Sequence, residues 1–470
     1  MITIKNYNFD YLKYLIVTFG IVMFGILLKS FDKRPYAIIE TILIGMALFL
    51  SLICLSNLRS VIDKKTIVIF SFLIYLFLYN LTIVVLRIFE VDISFYDSLF
   101  FSIQEFRLST LGYYLPLIFI PLAIYEHEKF KKSILFLLKI SIAYTIFEQL
   151  LSLIGFRTFF EALYFNSGVV SSNQIGAKSF GLYRIWGLVG SPQILGVFHV
   201  ITLFYMLNVK ENLWAFLSFF AVLITTSKTA YLILILLLFL YLLVNKKYLL
   251  FLLFTMIILF ISFSLYSFNE HLVYRNSQDY IYVQKFVQSI QGYFFLLLNT
   301  LDYDSPTKSG EVEFYFAEKG PVMRLMNYFG NNPLEIFFGK GITYSFMHAG
   351  LLEQTTFGQP DVHSDNQFYM GLTSDFYILT FFEQYGLFGV LVLMITYLLY
   401  PIYKLFKSGS FIFYIPITFF LATLHYPPQI SKLIMLFVGY SLWIIYLSHL
   451  QSNDKNKENP SVNNLNYTVS

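Results

Sequence analysis

The stretch Thr225–Ser267, TTSKTAYLILILLLFLYLLVNKKYLLFLLFTMIILFISFSLYS, decides the fold class. Its two apolar runs, 229–244 and 248–267, are separated by Asn245-Lys246-Lys247 and preceded by a polar turn, Thr225–Lys228. A helix needs about 17–25 mostly apolar residues to cross the ~30 Å hydrocarbon layer, so such runs predict membrane spans. A lysine pair between two of them marks a loop held at a membrane surface.

The pattern continues in both directions. Apolar segments at 11–28, 36–55, 66–86, 108–125, 133–154, 189–207 and 212–225 precede or adjoin the stretch, and 376–400, 411–426 and 431–449 follow it. The expectation is an all-α polytopic membrane protein of about twelve transmembrane helices with one large, partly helical external loop. Residues 1–267 would carry helices one to nine, 268–374 the loop, 375–450 helices ten to twelve, and 451–470 a disordered polar tail. Composition agrees, since 57% of residues are hydrophobic and 13% charged, with a mean hydropathy of +0.66, whereas soluble domains carry about 25% charged residues. Residues 11–28 lack a small-x-small cleavage site after them and read as a retained first helix.

Lys64 and Lys65, Lys129 to Lys132, Lys246 and Lys247, Lys404 and Lys407, and the tail lysines fall on one face when twelve spans are counted. The positive-inside rule makes that face the cytoplasm, with both termini in it. Lys29, Lys33 and Arg34 depart from the rule, because they would lie outside. The net charge of +4 comes mostly from these span-flanking cations and carries no nucleic-acid signal. The single cysteine, Cys54, excludes an intramolecular disulfide and a thiolate metal site.

The outer face then receives 87–107, 155–188, the turn at Thr225–Lys228, and 268–374. In the long segment Val283, Phe286, Val287, Ile290, Phe294 and Leu297 have the spacing of an amphipathic helix lying on the membrane. A second short helix is expected from Gly320-Pro321 to the stop signal Gly330-Asn331-Asn332-Pro333.

Four places on that face carry candidate chemistry. Gly181-Leu-Tyr-Arg184-Ile-Trp-Gly187-Leu-Val-Gly190-Ser-Pro192 is a glycine-rich approach in which backbone and a guanidinium can face one anion, or in which Arg184 snorkels beside Trp186. Lys228 sits at a tight turn and could equally anchor a helix end. Arg324 precedes Asn331-Asn332-Pro333 and Gly339-Lys340-Gly341, with a solvated surface charge as its alternative. Asp361-Val-His363-Ser-Asp365-Asn366-Gln367 offers a histidine that can take a proton at neutral pH. Asp361, His363 and Asp365 also alternate as a metal set would, and Asp365-Asn366 could simply cap the next helix. His199, Glu40 and Glu148 lie inside apolar segments without helical i, i+3 or i+4 partners, so they are expected to pair across helices or reach an interface.

In order and in sidedness these places resemble the O-antigen polymerase (Wzy-type) and O-antigen ligase superfamily, over residues 180–395. The family's Arg-Gly-Pro approach to a span is matched by Arg184, Gly187 and Pro192, and its Ser-Arg turn by Ser227-Lys228, with lysine where arginine is usual. Its loop arginine, Asn-Pro and Gly-x-Gly are matched by Arg324, Asn332, Pro333, Gly339 and Gly341. Its His-Ser-x-Asn and Gly-x-x-Gly are matched by His363, Ser364, Asn366, Gly386 and Gly389.

The resemblance implies a GT-C-like membrane glycosyltransferase at the outer face of a bacterial inner membrane, independent of metal and cofactor. It would transfer a saccharide from an undecaprenyl-diphosphate carrier to a sugar hydroxyl, with Arg184, Lys228 and Arg324 on the diphosphate and His363 as base. The implied partners are undecaprenyl-diphosphate-linked oligosaccharide, membrane lipids, a chain-length regulator and a flippase. An O-antigen ligase shares the donor and differs in acceptor. A lipid-linked saccharide flippase is the competing class, but internal repeats and midplane-broken helices would be expected of it, and no repeat is visible.

Overall fold

The computed structural model describes residues 11–31, 33–55, 71–80, 82, 111–123, 127–166, 178–179, 181–257, 333–339, 377–425 and 431–458. Helix accounts for 88% of them, and the only strand pairing among them is a two-residue hairpin, Lys178–Ser179 against Leu182–Tyr183. The described residues are thus mostly helical, which is compatible with the all-α expectation. Two helices are long and apolar enough to cross a membrane, Phe130–Asn166 and Gln384–Ser408, and three if Tyr11–Met23 and Gly25–Phe31, bent by 65°, count as one. Shorter apolar helices include Pro192–Asn208, Asn212–Ile224, Lys228–Val244, Tyr248–Ile257 and Phe411–Thr423.

Around the deciding stretch the helix ends between Asn212 and Tyr248 fall within a few residues of expectation, and local chemistry explains them, whereas the end expected near residue 267 lies outside the described residues. Asn212–Ile224 stops at the Thr225–Thr226 turn, where Thr226 takes a left-handed φ of 52°. Lys228–Val244 starts on Ser227, whose hydroxyl accepts the Ala230 amide at 3.3 Å, a standard N-cap. Lys246, φ 56°, turns the chain into the next helix. The outward surfaces of these helices are oily: Phe216 is 65% exposed and Leu249 81%. Contiguous apolar surface of this kind suits lipid rather than water.

Elsewhere the structure departs from the sequence expectation. The helix beginning at His127 does not end near residue 154; it passes through a π-helical turn at Ser152–Phe156, bends at Gly155 (φ 107°), and continues as Arg157–Asn166. Residues 157–166, expected in an outer loop, stay helical because Phe160 and Tyr164 bury against Ile26 and Trp186. The final helix, Lys432–Glu458, likewise runs past Ser452 into the polar tail. The six residues Pro333–Phe338 form a helix where a stop was expected, with proline in the first position it tolerates best.

The helices share a core rich in rings. Phe19 meets Phe119, Phe130 and Phe437 at centroid distances of 6.0, 6.0 and 5.2 Å, within the range for favourable aromatic pairs. At one end of the packing Ser410 donates to the Asn208 side chain at 2.9 Å, Lys139 pairs with Glu211 at 3.1 Å, and Phe411 stacks on Phe204 and Tyr241. Pro192–Asn208, Lys228–Val244 and Phe411–Thr423 each have one terminus there. The opposite end therefore gathers Gly187–Ser191, Thr225–Lys228, and His425, whose carbonyl accepts the Tyr377 amide.

Candidate functional site

The Gly181–Pro192 stretch is held by side chains of the kinked helix. Glu148, fully buried, accepts the backbone N–H of Trp186 on Oε1 at 3.1 Å and that of Gly187 on Oε2 at 2.8 Å. The Tyr164 hydroxyl lies 2.8 Å from the same Oε2 and 2.9 Å from the Gly187 carbonyl, bridging the two. Gln149, with its amide oriented to satisfy both partners, meets the N–H and the carbonyl of Tyr183 at 3.1 Å each. Arg157 donates from Nη2 to the Arg184 carbonyl at 3.1 Å, pairs through Nε with Glu161 at 2.9 Å, and stacks 4.1 Å from the Trp186 ring centroid. Gly187 takes φ 55°, and an added Cβ there would lie 2.5 Å from the Leu195 side chain, so the close turn requires glycine.

The backbone on both sides of Arg184 is thus fixed by polar contacts. Burying either N–H without its carboxylate acceptor would cost on the order of 1–3 kcal/mol. The Arg184 side chain is half-buried. Lys178, on the adjoining hairpin, sits 4.3 Å over the Tyr183 ring.

The Thr225–Lys228 turn comes to this same place. Ile185, Leu195 and Ile224 form one buried cluster, and Gly196 packs so closely on the next helix that a Cβ would lie 2.7 Å from that of Ser227. Thr225, Thr226 and Ser227 are almost fully buried, whereas Lys228 is half-buried at the first position of its helix. Two cation-bearing stretches far apart in sequence are therefore neighbours, an arrangement that can receive an anion.

A third meeting involves the loop. Pro333–Phe338 docks on the Tyr377–Met394 helix where Gly386 breaks it, and the two segments touch through glycine backbone. A Cβ on Gly339 would lie 2.5 Å from the Gln384 carbonyl oxygen, and one on Gly386 would collide with the Phe337 carbonyl. The hydroxyls of Tyr75 and Tyr79 donate to the carbonyls of Tyr385 and Gln384, just before the break. Gly386 has φ 65° and ψ −174°, a region essentially reserved for glycine, where another L-residue costs about 1–3 kcal/mol before the collision is counted. Gly386→Ala is accordingly expected to release the docked helix. Limited proteolysis of the purified protein should cut near Phe337 faster in the variant; equal rates would mean that the junction accommodates a side chain.

Of the residues expected to carry chemistry, Arg184 and Lys228 lie on stretches that meet through Ile185, Leu195 and Ile224 and through Gly196 against Ser227. Arg324 and His363, with Asp361 and Asp365, lie outside the described residues, as do the amphipathic helix over 283–297 and the helix from Gly320. Two of the three ionisable residues in apolar segments pair across helices, as expected, His199 with the Thr145 hydroxyl at 2.8 Å and Glu40 with Lys432 at 2.9 Å and Lys29 at 4.0 Å, whereas Glu148 meets loop backbone and Tyr164 of its own kinked helix. The contacts of Arg157 with the Arg184 stretch were not legible in the sequence. Their nearest signal was the lone Gly155 before a charged residue at the end of an apolar run.

Comparison of the chain with protein-family models, with characterised proteins and with solved structures finds no match in any of the three.

Proposed function

We propose that the chain is a polysaccharide polymerase of about twelve membrane spans, both termini in the cytoplasm and 268–374 outside. It would act on O-antigen or capsule repeats at the outer face of a bacterial inner membrane. The observation that carries the reading is the convergence of the Arg184 stretch and the Lys228 turn at one end of the helix packing. The Pro333–Gly339 segment, which follows Arg324 in the loop, docks on the helix that follows His363, and this also fits.

In the proposed reaction the bond between the anomeric carbon of the donor saccharide and the diphosphate oxygen breaks. A new bond forms from that carbon to the hydroxyl of an acceptor lipid-linked repeat unit. The hydroxyl proton passes to His363, and undecaprenyl diphosphate leaves. Two phosphates carry the departing charge, so fixed cations lower the barrier by meeting charge as it develops. Arg184, Lys228 and Arg324 take that role. Lysine at 228 is a point charge without the planar fork of arginine, and contributes attraction more than orientation.

Removal of the chain from a producing cell separates this reading from its competitors. A polymerase deletion leaves surface glycolipid capped by a single repeat unit. Surface lipid with no repeat at all would instead indicate a ligase, and retention of lipid-linked repeats on the cytoplasmic leaflet would indicate a flippase.

A further inference from the structure

We infer that Glu148, Gln149 and Arg157 are positioning residues that hold Arg184 ready for a diphosphate, an inference that rests on the reading of Arg184 as a donor ligand. The three side chains come from one kinked helix, and their hydrogen bonds go to the backbone on both sides of Arg184: Gln149 to Tyr183, Arg157 to the Arg184 carbonyl, Glu148 to Trp186 and Gly187. With exposures of 0, 3 and 5% for Glu148, Gln149 and Arg157, none is placed to be a ligand itself. A carboxylate inside an apolar segment is costly to keep, and replacing it by packed apolar groups is often neutral or better for stability. Here both of its oxygens are taken up in fixing the Arg184 stretch, which gives the buried charge a purpose that packing alone would not serve.

The kink belongs to the same device. Past the π-turn at Ser152–Phe156 the chain changes direction at Gly155, and Arg157 then reaches the Arg184 carbonyl while its plane lies on Trp186. Glu161, one turn on, neutralises Arg157. Arg157 is thereby committed to structure, with its contacts spent on the Arg184 carbonyl, Glu161 and the Trp186 ring. A guanidinium recognises phosphate through a planar fork, and misplacing such a group by about 1 Å costs on the order of 10²-fold.

The test is a double-mutant cycle on the full-length protein in detergent, with undecaprenyl diphosphate as the probe. Trp214→Phe and Trp443→Phe leave Trp186 as the reporter, since the chain has three tryptophans. Glu148→Gln keeps the shape but turns an amide N–H toward backbone N–H donors. It is expected to shift Trp186 emission to the red and to weaken Kd by about 10–100-fold, the scale of lost hydrogen bonds to a charged group, and Gln149→Glu to act in the same direction. Arg184→Ala should weaken Kd comparably while leaving Trp186 emission unchanged, because the clamps hold backbone and not the side chain. The Glu148→Gln/Arg184→Ala double variant should bind no more weakly than Arg184→Ala alone, as expected when one residue acts through the other. A double variant weaker by the product of the two singles, or wild-type Kd in Glu148→Gln, would overturn the positioning role. Wild-type Kd in Arg184→Ala would overturn the diphosphate reading instead, with a Trp186 shift in Glu148→Gln then defining a purely structural clamp.

Discussion

Replacing His363 with alanine is expected to lower saccharide transfer by about two to four orders of magnitude while folding and donor binding stay as they were, the loss typical of a missing general base. A sugar hydroxyl is a weak nucleophile, and the barrier falls when its proton is taken as the glycosidic bond forms. Histidine suits the task because its ordinary pKa of about 6.5 leaves it mostly neutral at physiological pH. Transfer should therefore fall as pH drops and the base is protonated. Unchanged turnover in His363→Ala would sink the base assignment. Activity lost on chelation would instead assign Asp361, His363 and Asp365 to a metal ion.

Arg324→Ala is expected to abolish detectable polymer, with a loss on the order of 10²–10³-fold if its guanidinium meets charge developing on the leaving diphosphate. Arg324→Lys should restore only part, since lysine keeps the charge and loses the bidentate fork. The measurement is chain-length distribution in cells with protein level held equal. Full-length polymer from Arg324→Ala would reduce this residue to a surface charge.

The legible parts of this protein were those governed by neighbours in sequence. The turns at Thr225–Lys228 and Asn245–Lys247 announced themselves through polar and charged residues between apolar runs, and the helices end there. Glu148, His199 and Glu40 stood out as ionisable groups where such groups are costly. Their partners could not be read, because they lie 38 and 39 residues away for Glu148 and 54 for His199, and helical spacing carries no information over such distances. The bend at Gly155 was hidden for another reason. A lone glycine in an apolar run reads as tolerated helix, and only the burial of Phe160 and Tyr164 beyond it carries the helix on in a new direction. The glycine contact between Gly339 and Gly386 was visible as two motifs but not as one junction.

The proposed polymerase activity requires that this single chain join lipid-linked saccharides. The most direct measurement reconstitutes the purified full-length protein in liposomes with synthetic undecaprenyl-diphosphate-linked repeat units, without nucleotide. A polymerase is expected to give products lengthened by whole repeats, with one undecaprenyl diphosphate released for each bond formed. Folded protein that leaves every repeat unit single, or that only carries the repeats across the bilayer, would contradict it.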